Sequence, residues 1–227
     1  MKPVIELRNV KKTYCKTGVP VQALKNTNLK IHKKESITIM GPSGSGKSTM
    51  LHMIGCLDKP TSGKILINGR DISKLDDNDI ARIRRKTIGF IFQFFNLIPN
   101  FTALKNVELP MIFSGYPDRE KRAADLLKSV GLGNRIDHYP SQLSGGEIQR
   151  VSIARAMANE PDIILADEPT GNLDSKSGKD ILNILKKLNK TRGVTLVVVT
   201  HDKNIASHFR QMVYIKDGEI IKRGKSK

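Results

Sequence analysis

Ser36-Ile37-Thr38-Ile39-Met40-Gly41-Pro42-Ser43-Gly44-Ser45-Gly46-Lys47-Ser48-Thr49 decides the fold of this 227-residue chain. Its first five residues form an apolar run with the length and β-branched character of a short buried strand. The next eight match G-x-x-x-x-G-K-[ST], in which glycines let the backbone take positive φ and aim successive N–H groups at the oxygens of a polyphosphate. A helix predicted to begin near Lys47 adds the positive end of its dipole. Gly41, Pro42, Ser43, Gly44, Ser45 and Gly46 then form a phosphate cradle, and Lys47 reaches the β- and γ-phosphates as a point charge. The Ser48 hydroxyl is the natural ligand of a magnesium ion bridging those phosphates, and Thr49 supports the α-phosphate.

Other strand ends carry matching chemistry. Pro161-Asp-Ile-Ile-Leu-Ala166 reads as a strand buried on both faces in a parallel sheet, and it delivers Asp167 and Glu168 at its carboxyl end, the edge where α/β proteins bind ligands. Asp167 suits a direct or outer magnesium role, and Glu168 is placed to polarise a water in line with the γ-phosphate. The β-branched run Val194 to Thr200 ends at His201, which reads either as a sensor of the γ-phosphate or as an ordinary packing residue. Gln93, after Ile88-Gly-Phe-Ile-Phe92, reads either as a magnesium ligand or as the end of a strand. Leu143-Ser144-Gly145-Gly146-Glu147 is the start of a helix: Ser144 can cap it, the glycines leave amides accessible, and Glu147 completes a capping box. That chemistry alone also fits a well-capped helix that binds nothing.

With these elements in this order, the chain resembles the nucleotide-binding subunits of ATP-binding-cassette (ABC) transporters nearly end to end. The phosphate loop, Gln93, Leu143-Ser144-Gly145-Gly146, Asp167-Glu168 and His201 look like the family's Walker A, Q-loop, signature, Walker B with catalytic glutamate, and switch histidine. Asn172-Leu173-Asp174 looks like its D-loop. Tyr14 sits where the family stacks an aromatic ring on adenine; read as a residue alone, it is also a simple strand-end aromatic. Ile83-Arg-Arg85, Gly89 to Ile98, Asn106-Val-Glu-Leu-Pro110 and Pro169-Thr-Gly-Asn-Leu-Asp174 are similar to the lipoprotein-releasing and macrolide-export branch. Two positions depart from the commonest pattern, Glu147 for glutamine and Ile148 for a polar residue, and neither bears on ATP binding.

The resemblance implies an α/β fold, a P-loop NTPase (ABC ATPase) core with an antiparallel β subdomain and an inserted α-helical subdomain. It implies ATP and Mg2+ as ligands, with Ser48, Gln93 and Asp167 on the metal. It also implies a head-to-tail homodimer in which Ser144, Gly145, Gly146 and Glu147 of one copy close on the ATP held by the other's Lys47. Hydrolysis would use Glu168 and His201, and the work would pass to an integral membrane permease at the cytoplasmic face of the membrane. One cassette is expected over residues 1–227, with 1–94 and 160–227 as catalytic core and β subdomain and 95–159 as the helical subdomain.

Composition bounds the alternatives. Thirty-nine Lys and Arg against 22 Asp and Glu give a net charge of +17, which favours anionic partners: a membrane surface, acidic permease segments or nucleic acid. A basic solvated surface is the plain alternative. The run Arg82-Ile-Arg84-Arg85-Lys86 has no interleaved aromatics, which weakens the nucleic-acid reading. No run approaches the ~20 apolar residues of a membrane span, and the start lacks a signal-peptide core, so a soluble polypeptide is expected. Cys15 and Cys56 are the only cysteines and read as ordinary thiols of a reducing compartment.

Two rivals remain at this level. A soluble ABC ATPase acting on nucleic acid or ribosomes would ordinarily carry a coiled-coil insertion or a second cassette, and a small-molecule kinase would need an acceptor pocket and lid. The apolar loop Phe94-Phe-Asn-Leu-Ile-Pro-Asn-Phe101 reads either as a docking pocket for a helix of another protein or as internal packing.

Overall fold

A computed structural model describes residues 2–16 and 18–225. The chain opens with β1 (Pro3–Lys16), β2 (Val19–His32), β3 (Ser36–Met40) and α1 (Lys47–Ile54), followed by β4 (Ser62–Ile67), β5 (Arg70–Asp71), α2 (Asp77–Thr87) and β6 (Ile88–Ile91). Three helices come next, α3 (Ala103–Ser114), α4 (Arg119–Ser129) and α5 (Gly145–Ala156). Then β7 (Ile163–Asp167), α6 (Ser175–Arg192), β8 (Thr195–Thr200), α7 (Lys203–Ser207), β9 (Gln211–Lys216) and β10 (Glu219–Lys225) complete it. The residues fall into two compact units, 1–83 with 195–227, and 84–194.

The first unit holds an antiparallel sheet in the order β2-β1-β4-β5. Ile5 pairs with Ile31 on one side and Ile67 on the other, and all three are buried. Bulges interrupt the alternation of the hairpin strands: Asn26 sits at φ 48 and lets Leu24 and then Thr27, Leu29 and Ile31 all face inward. The parallel part of this unit places β3 between β8 and β9, with β10 antiparallel on β9. Ile37, Ile39 and Val197 to Val199 have no exposed surface, as befits strands covered on both faces. The register pairs Met40 with Thr200, so the phosphate loop after β3 and His201 after β8 leave the sheet at one edge.

In the second unit β6 and β7 run parallel, Ile88 against Ile163 and Ile91 against Ala166. Helices α3, α4 and α5 pack on one another, and α5 lies against β6. Gly89 permits that approach, since a Cβ there would run into the Ala156 carbonyl oxygen. Asp118 precedes α4 at φ 49 without a side-chain cap.

Candidate functional site

In the first unit, the phosphate loop is shaped from outside by two main-chain walls. A Cβ on Gly41 would strike the Ile215 carbonyl, and one on Gly46 would strike the Ala23 carbonyl while forcing a side chain to φ 101. Gly44 differs: at φ 74 it needs a left-handed conformation, yet nothing lies within 4 Å of its Cβ position. Glycine there meets the left-handed conformation and leaves that space open. The β9–β10 turn braces the loop, because the Gly218 N–H donates to the Ser45 carbonyl at 3.0 Å while Lys25 N–H donates to the Gly218 carbonyl at 2.8 Å.

Lys47 begins α1 and is buried. Its ammonium donates to the carbonyls of Gly41 at 2.9 Å and Pro42 at 2.8 Å, which fixes the charge at the mouth of the loop. An ammonium has three donors, so a third remains for a phosphate oxygen. The N-cap is Gly46, with no side-chain cap and no acidic residue in the first turn, leaving the helix amides and their partial positive charge to an anion. Ser45 Oγ is buried with no hydrogen-bond partner among the described residues. Pro42, Ser43, Gly44 and Ser48 are exposed and Thr49 half-buried.

Tyr14, near the end of β1, donates its phenol to Asp58 Oδ2 at 2.9 Å. Burial, then this carboxylate, raises the phenol's pKa. His201 is exposed at the edge from which the phosphate loop also leaves.

The second unit collects the other predicted residues. Asp167 ends β7, and Glu168 follows in a left-handed conformation at φ 46, which costs a non-glycine residue about 1–2 kcal/mol. A turn closed by Gly171 N–H to the Glu168 carbonyl at 3.0 Å holds it there, with Pro169 at the position whose fixed φ favours such a turn. Gln149 of α5 anchors the same turn from its buried side, its Nε2 donating to the Pro169 carbonyl at 2.6 Å. Gln93 is tied to Asn172 twice: its Nε2 donates to Asn172 Oδ1 at 3.4 Å, and Asn172 Nδ2 returns a bond to the Gln93 carbonyl at 3.0 Å.

The capping box predicted at α5 is present. Ser144 Oγ accepts from Glu147 N–H at 3.3 Å, and Glu147 Oε2 accepts from Ser144 N–H at 2.8 Å. The backbone and hydroxyl of Ser144, with Arg135 nearby, hold the Glu147 carboxyl below its usual pKa despite some burial. Ser144 and Gly145 are exposed, so this helix start is offered outward. Gly146 is buried, and a Cβ there would press on Ser177 of α6 at 3.1 Å.

The sequence reading missed the clamps on the apolar loop after Gln93. Asn106, fully buried in α3, donates to the carbonyls of Ile98, Phe101 and Thr102 and accepts from Ile98 N–H, all between 2.8 and 3.1 Å. Arg155 of α5 donates to the carbonyls of Phe95, at 2.7 Å, and Asn96; burial lowers its guanidinium to about 10, still cationic at neutral pH. Held from behind, the loop turns Phe94 outward, 74% exposed, with Phe101 37% exposed. An asparagine among apolar neighbours was the one available signal. Removing it should be costly: Asn106→Ala is expected to destabilise the protein by about 2 kcal/mol, lowering the melting temperature by about 4–8 °C. Calorimetry showing an unchanged melting temperature would contradict the clamp.

Among the described residues no cluster of three His, Cys, Asp or Glu could hold a metal. Ser48, Gln93 and Asp167 each carry an oxygen of the kind that hard ions such as magnesium take as a ligand.

Comparison with known proteins gives a consistent picture. The family described as "ABC transporter" matches residues 24–171. The lipoprotein-releasing system ATP-binding protein LolD of Syntrophus aciditrophicus is 48% identical over 96% of this chain and 99% of its own. The macrolide export ATP-binding/permease protein MacB of Wolinella succinogenes is 48% identical over 98% of this chain, which corresponds to 35% of that longer protein. Among solved structures, the dimeric post-hydrolysis state of the ATP-binding cassette MJ0796 bound to ADP and Pi superposes with a TM-score of 0.91 at 53% identity, covering 98% of this chain and 99% of the other.

Proposed function

This chain belongs to the ABC transporter family as an ATP-hydrolysing subunit, and from that premise we propose that two copies pair head to tail around two Mg-ATP molecules to drive a membrane permease. The observation that carries the reading is the pairing of chemistries: a phosphate loop open at Gly44, and an outward-facing, capped helix start at Ser144 and Gly145. In this scheme the Ser144 hydroxyl and the Gly145 and Gly146 amides close on a γ-phosphate held by the other copy's Lys47. The dimeric relative with ADP and Pi supports it.

The residues divide the work. The phosphate loop and Lys47 bind the triphosphate and fix its orientation. Tyr14 stacks on adenine. Ser48, Gln93 and Asp167 would hold Mg2+, which when bound neutralises charge developing on the phosphates. Glu168 accepts a proton from the attacking water, and His201 donates a hydrogen bond to the γ-phosphate. Gln93 relays the state of that phosphate to the loop ending at Phe101, whose exposed Phe94 suits docking of a permease helix. The helical subdomain that presents the signature is assigned to residues 95–159.

No helix among the described residues is long and apolar enough to cross a membrane. The reading therefore has this chain reach the cytoplasmic face of the membrane through its permease, with the lipoprotein-release or macrolide-export type supported by the names of its relatives. Because two copies share each reaction, ATP turnover is expected to rise more steeply than linearly with protein concentration and to ignore added DNA or RNA. A strictly linear dependence with stimulation by nucleic acid would favour the soluble rival.

A further inference from the structure

Asp58, in the loop that follows α1, binds three partners at once. Its Oδ1 accepts from Lys12 Nζ at 2.6 Å and from Lys59 N–H at 2.7 Å, and its Oδ2 accepts from the Tyr14 phenol at 2.9 Å. Lys12 also donates to the Lys59 carbonyl at 2.8 Å, and its ammonium sits 4.8 Å from the centroid of the Tyr14 ring. The surrounding backbone is locked as well: Thr61 N–H donates to the Lys11 carbonyl at 2.9 Å, and Thr13 N–H to Thr61 Oγ1 at 3.0 Å. Burial works to raise the Asp58 carboxyl, but its bonds to Lys12, Tyr14 and Lys59 outweigh that and hold it ionised below the usual range.

A tyrosine ring at a strand end ordinarily turns freely about two side-chain torsions, which weakens any stacking it offers. Here a charge-assisted bond on the hydroxyl and a cation against the ring remove that freedom. With an ammonium on one face, a base can stack only on the other. The cation also draws ring electron density toward itself, which makes the opposite face a better partner for an electron-rich purine.

We propose that Asp58 and Lys12 are positioning residues for the nucleobase: they fix the Tyr14 ring in one orientation, with Lys12 on one face and the purine on the other. This rests on Tyr14 being the base platform. No hydrogen-bonding group of the trio is aimed at a base edge by these contacts, so the platform favours purines through stacking area and treats ATP and GTP alike.

The test compares binding of Mg-ATP, Mg-GTP and magnesium tripolyphosphate, which carries the phosphates without a base, to the full chain by titration calorimetry. Lys12→Met and Asp58→Asn are each expected to weaken both nucleotides about 5- to 10-fold while leaving tripolyphosphate unchanged. Tyr14→Ala should weaken the nucleotides at least as much. If Tyr14→Ala acts so and the other two variants bind ATP as wild type, the positioning role falls and the stacking stands. If Tyr14→Ala itself leaves ATP binding intact, the platform reading fails and takes this proposal with it. Equal weakening of ATP and tripolyphosphate by Asp58→Asn would make Asp58 a structural residue only, which also overturns the proposal.

Discussion

Glu168→Gln is expected to slow ATP turnover by about 10²- to 10⁴-fold, the range in which a positioned general base contributes, while ATP binding stays close to wild type. The amide is isosteric with the carboxylate, so the left-handed backbone at φ 46 and the turn to Gly171 are undisturbed, and only the ability to accept a proton is lost. The expected signature is a fall in kcat with little change in the affinity for Mg-ATP. Stopped-flow phosphate release under single-turnover conditions measures the chemical step directly. A variant that releases phosphate at the wild-type rate would remove Glu168 from the reaction.

Lys47→Ala is expected to weaken Mg-ATP binding by about 100-fold or more, from the loss of charge-assisted bonds worth about 1.5–3 kcal/mol each. The residue acts twice. In the proposed function it supplies a fixed positive charge to the phosphates, and in the structure it ties the Gly41 and Pro42 carbonyls at 2.9 and 2.8 Å, so its loss also leaves the loop without an internal brace. Lys47→Arg should not rescue binding, because a planar guanidinium cannot replace a compact ammonium seated among main-chain carbonyls. Titration calorimetry with Mg-ATP checks both variants. Affinity within threefold of wild type for Lys47→Ala would mean that the loop holds no triphosphate, a threshold taken as about half the logarithmic effect of one lost bond.

What the sequence made legible was local. The phosphate loop, its strand and its helix follow from fourteen consecutive residues, and the capping box at Ser144 and Glu147 needs only a three-residue spacing. The ABC fold and the ATPase identity followed from the joint order of such motifs, and the family match and solved relatives bear them out. The clamps were invisible because each runs from a side chain to main-chain carbonyls, which no side-chain pattern reports: Arg155 to Phe95 and Asn96, Asn106 to Ile98, Gln149 to Pro169. Asp58 was overlooked because its partner Tyr14 lies 44 residues away along the chain. Register shifts along β1 and β2 reset the alternation on which strand reading relies, so the pattern does not carry through them. The basic run at Arg82–Lys86 also takes on a local meaning: Arg84, Arg85 and Lys86 fill the last turn of α2, opposite Asp77 and Asp79 in its first, as the helix dipole favours. That part of the positive charge needs no anionic partner.

The central claim is that ATP joins two copies of this chain, each completing the other's site. Light scattering coupled to size-exclusion chromatography on the Glu168→Gln protein, with and without Mg-ATP, tests it most directly, because blocking hydrolysis should trap the closed pair. The expected result is a mass near the monomer's 25.3 kDa without nucleotide and about double that with Mg-ATP, with the shift abolished by Lys47→Ala in the same chain. A Glu168→Gln protein that binds Mg-ATP yet stays at the monomer mass across the concentration range would contradict the pairing of phosphate loop with signature.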